Sequence, residues 1–171
     1  KINNPKLINI ILDPGLAFGT GAHPTTHLCT EWLIDNVSKE KQVLDYGCGS
    51  GILAIAAYKL GAKTVKAVDI DPQAIIASKE NGAVNQCYID WLNTDKDFKF
   101  HADLVVANIL SSALSVLAPL LASYCLPKGK IALSGILDSQ ESQIKKIYSP
   151  WFKFEKTLKS DGWICLSGIK E

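Results

Sequence analysis

The sequence contains no arginine. Its 18 basic residues are all lysine, and with 17 acidic residues they leave a formal net charge of +1. Proteins that bind nucleic acid commonly carry a basic excess and use the planar guanidinium of arginine to contact phosphates and bases. We therefore do not expect this chain to bind nucleic acid directly.

Hydrophobic runs of transmembrane length and a recognisable signal peptide are also missing, so we expect a cytoplasmic protein without membrane contact. Cysteines are few, odd in number and nowhere in a Cys-x-x-Cys pair; they are Cys29, Cys48, Cys87, Cys125 and Cys165. This pattern favours reduced, mostly buried thiols over disulfides or a metal site. His23 and His27 lie four residues apart but have no evident third ligand, so we expect no metal.

Methionine is absent too, and the chain begins at Lys1, so we expect either a trimmed protein or a region upstream. What is present fits one α/β domain, since 171 residues with 47% hydrophobic and 20% charged side chains can bury a full core.

The most informative stretch is Val43–Gly51, which reads Val-Leu-Asp-Tyr-Gly-Cys-Gly-Ser-Gly. It predicts a short buried strand, a tight turn at Gly47, Gly49 and Gly51, and a helix that begins near Ile52. Glycine allows a backbone to turn sharply and to approach a ligand that a Cβ atom would keep away. The stretch therefore indicates a nucleotide-binding turn.

Two carboxylates near this turn indicate which nucleotide cofactor it binds. Asp69 follows Gly47 by about 20 residues at the end of the next predicted strand, where an acid accepts hydrogen bonds from ribose hydroxyls. Asp45 would repel a pyrophosphate about 4 Å away by roughly 4 kcal/mol at an effective dielectric constant of 20, whereas S-adenosylmethionine carries an ammonium and a sulfonium. The third glycine of Gly-x-Gly-x-x-Gly, counted from Gly47, is also missing. These features favour S-adenosylmethionine over NAD.

Two further positions are candidate ligand contacts. Pro24 suits the first position of a helix, which leaves Thr26 in the first turn, where hydroxyls and free amides can face a ligand. Asn108 ends the apolar stretch Ala102–Asn108 and would lie at the carboxyl edge of a sheet, where ligands of α/β proteins bind. Simple turn capping is the alternative role for Asn108, and Asp71 is better explained as a helix cap.

Apolar periodicity along the rest of the chain predicts alternating strands and helices, the pattern of a mostly parallel sheet. The predicted strands lie at 10–12, from 43 to the glycine turn, and at 64–68, 88–90, 102–108, 130–134, 152–158 and 163–169. The predicted helices lie at 24–37, 52–60 and 72–85, from Ser111 with a kink or break at Pro119, and from a capping box of Asp138 and Glu141 to Pro150. Ser160-Asp161-Gly162 predicts an antiparallel hairpin at the end of the sheet, as in methyltransferases.

Several of these stretches together resemble the PrmA-type ribosomal protein methyltransferases, which modify protein eleven of the large ribosomal subunit. They are Leu12–Gly15, Phe18–Gly21, His23–Thr26, Asp45–Gly51, Asp69–Pro72 and Ala107–Leu110. The resemblance implies a Rossmann-like class I fold with helices on both faces of the sheet. It also implies that Thr26, Gly47, Asp69 and Asn108 contact S-adenosylmethionine. By the same resemblance, residues 1–9 are the end of a linker, residues 10–171 are the catalytic domain, and a small upstream substrate-recognition domain is absent.

The resemblance implies transfer of methyl groups to amino groups, on lysine side chains or an N-terminal amine, of a large-subunit ribosomal protein. Asn108 is not followed by the Pro-Pro-aromatic sequence of enzymes that methylate planar nitrogens, which favours an aliphatic amine positioned by Asn108. Phe18 and Leu110 would border the acceptor pocket. The alternatives are a methyltransferase for another protein or a small molecule, and then an NAD enzyme or a binding module without catalysis.

Overall fold

The computed structural model describes residues 7–13, 21–94 and 98–171, and within these ranges the chain forms one eight-stranded sheet with helices on both faces. The strands are β1 Gln42–Tyr46, β2 Thr64–Asp69, β3 Asp90–Asn93, β4 Ala102–Asn108, β5 Cys125–Leu137, β6 Phe152–Phe154, β7 Leu158–Ser160 and β8 Trp163–Lys170. The helices are α1 Pro24–Asn36, α2 Ile52–Lys59, α3 Pro72–Val84, α4 Ser111–Tyr124 and α5 Glu141–Tyr148. None of these described helices is long and apolar enough to span a membrane.

The strand order is β3-β2-β1-β4-β5-β8-β6, and β7 pairs with the beginning of β8. Strands β1 to β5 are parallel, whereas β8 runs antiparallel to β5, β6 and β7. The predicted parallel sheet with an antiparallel end is thus confirmed. Chain order reverses between β1 and β4, and in open α/β sheets a ligand binds beside the carboxyl ends of the strands at such a point.

Two hydrophobic clusters, one on each face, make up the core. Leu44 of β1 belongs to the cluster that packs on α4 and α5, and Val43 belongs to the cluster that packs on α1, α2 and α3. Consecutive strand residues point to opposite faces, so apolar residues at both positions produce a sheet covered on both sides. All five cysteines are buried and unpaired, as predicted.

Local signals predicted several element ends correctly. Pro24 begins α1, and the Asp71 side chain caps α3 by accepting a hydrogen bond from the Gln73 amide at 2.9 Å. Asp161 and Gly162, between β7 and β8, have φ values of +50° and +78°. Positive φ at both central residues is the geometry of a two-residue type I′ hairpin turn.

Three strand predictions were wrong in extent. The third strand spans Asp90–Asn93 instead of 88–90, because Trp91 and Leu92 supply its apolar contacts while Tyr88 is 86% exposed. The fifth strand spans Cys125–Leu137 instead of 130–134, because its first residue pairs with Ala102 of β4 and its last residue pairs with Trp163 of β8. The run predicted at 152–158 is divided into β6 and β7.

Two helix predictions also need correction. Helix α4 is not broken at Pro119, which is exposed, because Leu114, Ala118 and Leu121 on the opposite side are buried in the core. A kink at Pro119, the other predicted outcome, stays a prediction. Asp138 and Glu141 form no capping box, because Asp138 begins a short 3₁₀ helix that ends at Gln140 and α5 starts only at Glu141. The carboxylates of Asp138 and Glu141 pair with Lys159 instead.

The segment 10–12 forms no strand. Its backbone pairs instead with the side chain of Asn85, which follows α3: the Ile11 amide donates to Asn85 Oδ1 at 2.9 Å, and Asn85 Nδ2 donates to the Ile11 carbonyl. Segment 10–12 is therefore held against α3.

Candidate active site

A cavity of about 590 Å³ lies at the carboxyl edge of the sheet, where β1, β2, β4 and β5 end. Five of the seven predicted ligand contacts line it, and these are Thr26, Gly47, Gly49, Asp69 and Asn108. The topology brings them together because the carboxyl ends of parallel strands share one edge of the sheet. The predicted acceptor-pocket residue Leu110 also lines the cavity, while Phe18 lies outside the described residues.

The glycine turn after β1 is held by backbone hydrogen bonds. The amides of Gly47 and Cys48 donate to the Val68 carbonyl at 2.7 and 3.0 Å, so the turn is fixed to the end of β2. Gly47 has a φ of +80°, and a Cβ atom there would collide with the Ile109 side chain. Glycine at this position therefore serves both the turn conformation and the close approach of the segment after β4.

The Asp69 carboxylate is fixed in the cavity wall by two backbone amides. Its Oδ2 accepts from Gly49 at 2.9 Å and its Oδ1 accepts from Asp71 at 2.9 Å. An ionised carboxylate has about four lone-pair sites, so these two bonds leave acceptor capacity for a ligand. The turn thus orients a carboxylate that can receive hydrogen bonds from a pair of hydroxyl groups.

Asp45 lies beneath the turn and does not line the cavity. It is 1% exposed, its Oδ2 accepts from the Ala54 amide at 3.0 Å, and its Oδ1 has no hydrogen-bond partner among the residues that the structure describes. Burial raises the pKa of Asp45 to about 7, an effect that the Ala54 amide opposes and the Asp69 charge reinforces. Asp45 therefore does not present a full negative charge directly to the ligand, because it is buried and, with a pKa of about 7, partly protonated near pH 7.

Gly51, the other predicted contact outside the lining, faces the protein interior. A Cβ atom on Gly51 would lie 2.8 Å from the Trp91 ring, so this glycine serves packing beneath the turn. Direct contact of Asp45 or Gly51 with a cofactor remains a prediction.

The first turn of α1 forms another part of the cavity wall. His23 precedes the helix, and its Nδ1 accepts from the Thr25 amide at 3.3 Å and lies 2.8 Å from Thr25 Oγ1. Thr26 is 4% exposed and lines the cavity from the same turn. The ring of His23 meets the edge of Trp163 at a centroid distance of 4.9 Å.

Asn108 ends β4 and pairs in register with Ser134 of β5. The next residue of β5, Gly135, has a φ of +83°, and a Cβ atom there would collide with the Ile109 backbone. The chain after Asn108 therefore crosses closely over β5, which fixes the backbone at the rim of the cavity.

The electrostatics of the lining suit a ligand that is not anionic. Burial raises the pKa values of the Cys48 thiol and the Tyr46 phenol, so both groups stay neutral near pH 7. Within the described ranges, Asp69 contributes a carboxylate to the cavity lining and no lysine lines the cavity. A pyrophosphate would thus face a carboxylate with no lysine of the described lining to offset its charge. The same described ranges contain no cluster of three or more metal-binding side chains.

Comparison with known proteins shows the family to which this chain belongs. The model of the ribosomal protein L11 methyltransferase (PrmA) family matches residues 1–171. The chain belongs to the PrmA family. This confirms the resemblance carried by the glycine turn and the His-Pro-Thr-Thr motif.

Named members of the PrmA family are similar along nearly the whole chain. A ribosomal protein L11 methyltransferase of Methylobacillus flagellatus is 56% identical over 167 residues, which cover 98% of this chain and 57% of that protein. One from Dechloromonas aromatica is 52% identical over 167 residues, covering 98% of this chain and 56% of that protein. The chain thus spans a little over half the length of these relatives.

Solved structures agree with the fold. A crystal structure of ribosomal protein L11 methylase from Lactobacillus delbrueckii subsp. bulgaricus is 39% identical, with a TM-score of 0.87 over 95% of this chain and 85% of that chain. A methyltransferase from Pyrococcus furiosus has a TM-score of 0.75 at 16% identity, over 94% of this chain and 88% of that one. The predicted class I methyltransferase fold is confirmed.

Sequence reasoning missed two parts of the PrmA-family cavity. Gly135 follows a predicted strand and could have been found from its place at the carboxyl edge of the sheet. Trp163 had no such signal, because it begins an antiparallel strand and reaches the cavity only through pairing with Leu137 of β5 and Ser160 of β7.

Proposed function

We propose that this domain binds S-adenosylmethionine and transfers its methyl group to amino groups of ribosomal protein L11, on lysine side chains or the N-terminal amine. Membership of the PrmA family supports the reaction and the substrate. The observation that carries the proposal is the Asp69 carboxylate, fixed by the Gly49 and Asp71 amides in a cavity whose described lining contains no lysine.

The lining fits the parts of S-adenosylmethionine. Asp69 would accept hydrogen bonds from the ribose hydroxyls, as acids at the end of a second β-strand do in nucleotide sites. Ile70 and Leu53 supply apolar surface for a base. Gly47 and Gly49 allow the ligand to approach the turn, and Thr26 and Asn108 add polar groups to the wall.

The chemistry requires mainly alignment from the protein. When bound, S-adenosylmethionine supplies a methyl group on a sulfonium, which is already electrophilic. Asn108 would position the acceptor amine for in-line attack, and such orientation lowers the barrier by an entropic effect. The amine gives up its proton to water or to His23, which lines the same cavity.

Deprotonation is the costly step for an amine acceptor. A lysine with its ordinary pKa near 10.4 pays about 4.6 kcal/mol to lose its proton at pH 7. Ile109, Leu110 and Leu117 line the cavity, and apolar surroundings lower the pKa of an amine because they penalise the charged form. The cavity wall would thus contribute to catalysis by removing water from the acceptor.

A ribosomal protein substrate also supports a cytoplasmic location for the proposed activity. The near-zero net charge supports recognition of a protein over direct binding of ribosomal RNA. Methylation of another protein or a small molecule is the competing substrate assignment.

Mass spectrometry of purified ribosomal proteins incubated with isotopically labelled S-adenosylmethionine tests the proposal. The chain, and in parallel any longer form that includes residues before Lys1, should add labelled methyl groups to lysines or the N-terminal amine of L11. A ribosomal protein of similar lysine content is the control and should remain unlabelled. Labelling of the control at the same rate, or of a small molecule alone, would favour the competing assignment.

A further inference from the structure

Asn81 of α3 connects two segments that are far apart in the sequence. Its Nδ2 donates to the carbonyl of Ser50 at 2.9 Å, and its Oδ1 accepts from the amide of Asp13 at 3.0 Å. Asn81 is 3% exposed, and its bond to Ser50 is buried, so water does not readily replace that bond. One buried amide group thus joins the glycine turn to the end of segment 10–13.

The bond to Ser50 acts on the part of the turn that faces the cavity. Ser50 lies between Gly49 and Gly51, is 3% exposed and lines the cavity. A glycine-rich turn gains little rigidity from its own side chains, because glycine populates many backbone conformations. A donor from α3 to the Ser50 carbonyl therefore limits the conformations that the turn can adopt.

The ring of Trp91 packs tightly between the glycine turn and α3. A Cβ atom on either Gly51 or Gly82 would lie 2.8 Å from the ring of Trp91. The Trp91 ring, from β3, thus contacts Gly51 of the turn and Gly82 of α3. Gly82, which is unfavourable inside a helix, is explained by this contact.

Asn85, which directly follows α3 as its C-terminal cap residue, makes comparable bonds but does not reach the glycine turn. It bonds the amide and the carbonyl of Ile11 at 2.9 and 2.6 Å, and its Nδ2 also donates to the carbonyl of Asn81 at 2.8 Å. Asn85 therefore provides a matched control, since it fixes the same segment to the same helix.

We infer that Asn81 is a positioning residue for the binding of S-adenosylmethionine. Its side chain holds the Ser50 carbonyl, and this keeps Gly49 and Asp69 in their places in the cavity wall. The inference rests on the proposed function, because it requires that the cavity bind this donor. Asn81 does not line the cavity, so its effect passes through the turn.

Titration calorimetry with S-adenosylmethionine tests the inference on Asn81→Ala, Asn81→Asp and Asn85→Ala. The Asp variant keeps an acceptor for the Asp13 amide but replaces the donor to Ser50 by an oxygen. Both Asn81 variants should raise the Kd about tenfold, on the scale of one lost hydrogen bond. Asn85→Ala should stay within about twofold of the wild type, although its melting temperature falls as well.

The binding stoichiometry distinguishes a displaced glycine turn from a partial loss of folded protein. A partly unfolded sample binds fewer equivalents of donor at an unchanged Kd, whereas a misplaced turn raises the Kd at an unchanged stoichiometry. A wild-type Kd in both Asn81 variants, or equal weakening by Asn85→Ala, would overturn the inference alone. A wild-type chain that binds no donor would overturn the proposed function and this inference together.

Hydrogen exchange on the wild-type chain provides a measurement that does not depend on the folding of a variant. Coupling between two sites is reciprocal, so saturating S-adenosylhomocysteine should slow exchange of the Asp13 amide severalfold through Asn81. Exchange at the Lys153 amide, in β6 on the far edge of the sheet, should not change. An Asp13 amide that exchanges at the same rate with and without S-adenosylhomocysteine would contradict the coupling.

Discussion

The backbone carbonyl of Ile109 occupies the space that a side chain on Gly135 would need. The contact joins the segment after β4 to β5 directly beside Asn108, the candidate residue for positioning the acceptor. Because Gly135 also has a φ of +83°, two independent requirements exclude other residues there.

Gly135→Ala should therefore destabilise the fold by about 3 kcal/mol or more, as the sum of a strained backbone and an overpacked contact. Gly162→Ala is the matched control, since Gly162 has a φ of +78° but nothing lies within 4 Å of its added Cβ. The control should lose only about 1–2 kcal/mol from strain. Denaturant unfolding measures both, and equal losses would show that the contact with Ile109 costs nothing.

Asp69→Ala should weaken S-adenosylmethionine binding about 10- to 100-fold, because hydrogen bonds to a charged group contribute about 1.5–3 kcal/mol. The variant also removes the acceptors of the Gly49 and Asp71 amides. Asp71→Ala serves as the control, since loss of the α3 cap should lower stability by about 1 kcal/mol and leave donor affinity nearly unchanged. Titration calorimetry that gives Asp69→Ala the wild-type affinity would refute the ribose assignment.

Asn108→Ala should lower kcat for methyl transfer about 10- to 100-fold at saturating donor, since the acceptor amine would lose its orientation. Single-turnover assays with L11 as acceptor measure this step. Asn36→Ala is a suitable comparison, because the Asn36 amide bonds the Trp32 carbonyl at the end of α1 and does not line the cavity. Full-rate transfer by Asn108→Ala would remove it from the proposed mechanism.

Asp45 should make stability depend on pH. Burial raises its pKa from 3.8 to about 7, so the folded chain binds this proton more tightly than the unfolded chain does. Stability should therefore fall as pH rises from about 4 to 7 and change little above that, by up to about 4 kcal/mol from this group.

Asp45→Asn should flatten this dependence, because an amide still accepts from the Ala54 backbone but does not ionise. Urea unfolding between pH 4 and 8 compares the two proteins. Parallel stability curves for the wild type and the variant would show that Asp45 ionises normally in the folded chain.

Much of the site was predictable because it is built from local signals on neighbouring parallel strands. Gly47 and Gly49 follow a buried strand, and Asp69 and Asn108 each end one, so sheet topology alone brings them to one cavity. The errors fell where tertiary contacts outweigh local preference. Pro119 remains inside α4 because the helix face opposite it is buried, and segment 10–12 pairs with the side chain of Asn85, at the end of α3, instead of a strand.

The sequence by itself determined the glycine turn, the parallel sheet with its antiparallel end, and the positions of Asp69 and Asn108, since each depends on residues within one strand-turn-helix unit. Only the tertiary structure decided that Asp45 is buried beneath the turn and that Trp163 reaches the cavity. It also decided that Asn81 bonds Asp13, 68 residues away in the chain. Burial and contacts between distant segments depend on the packing of whole layers, which local periodicity does not encode.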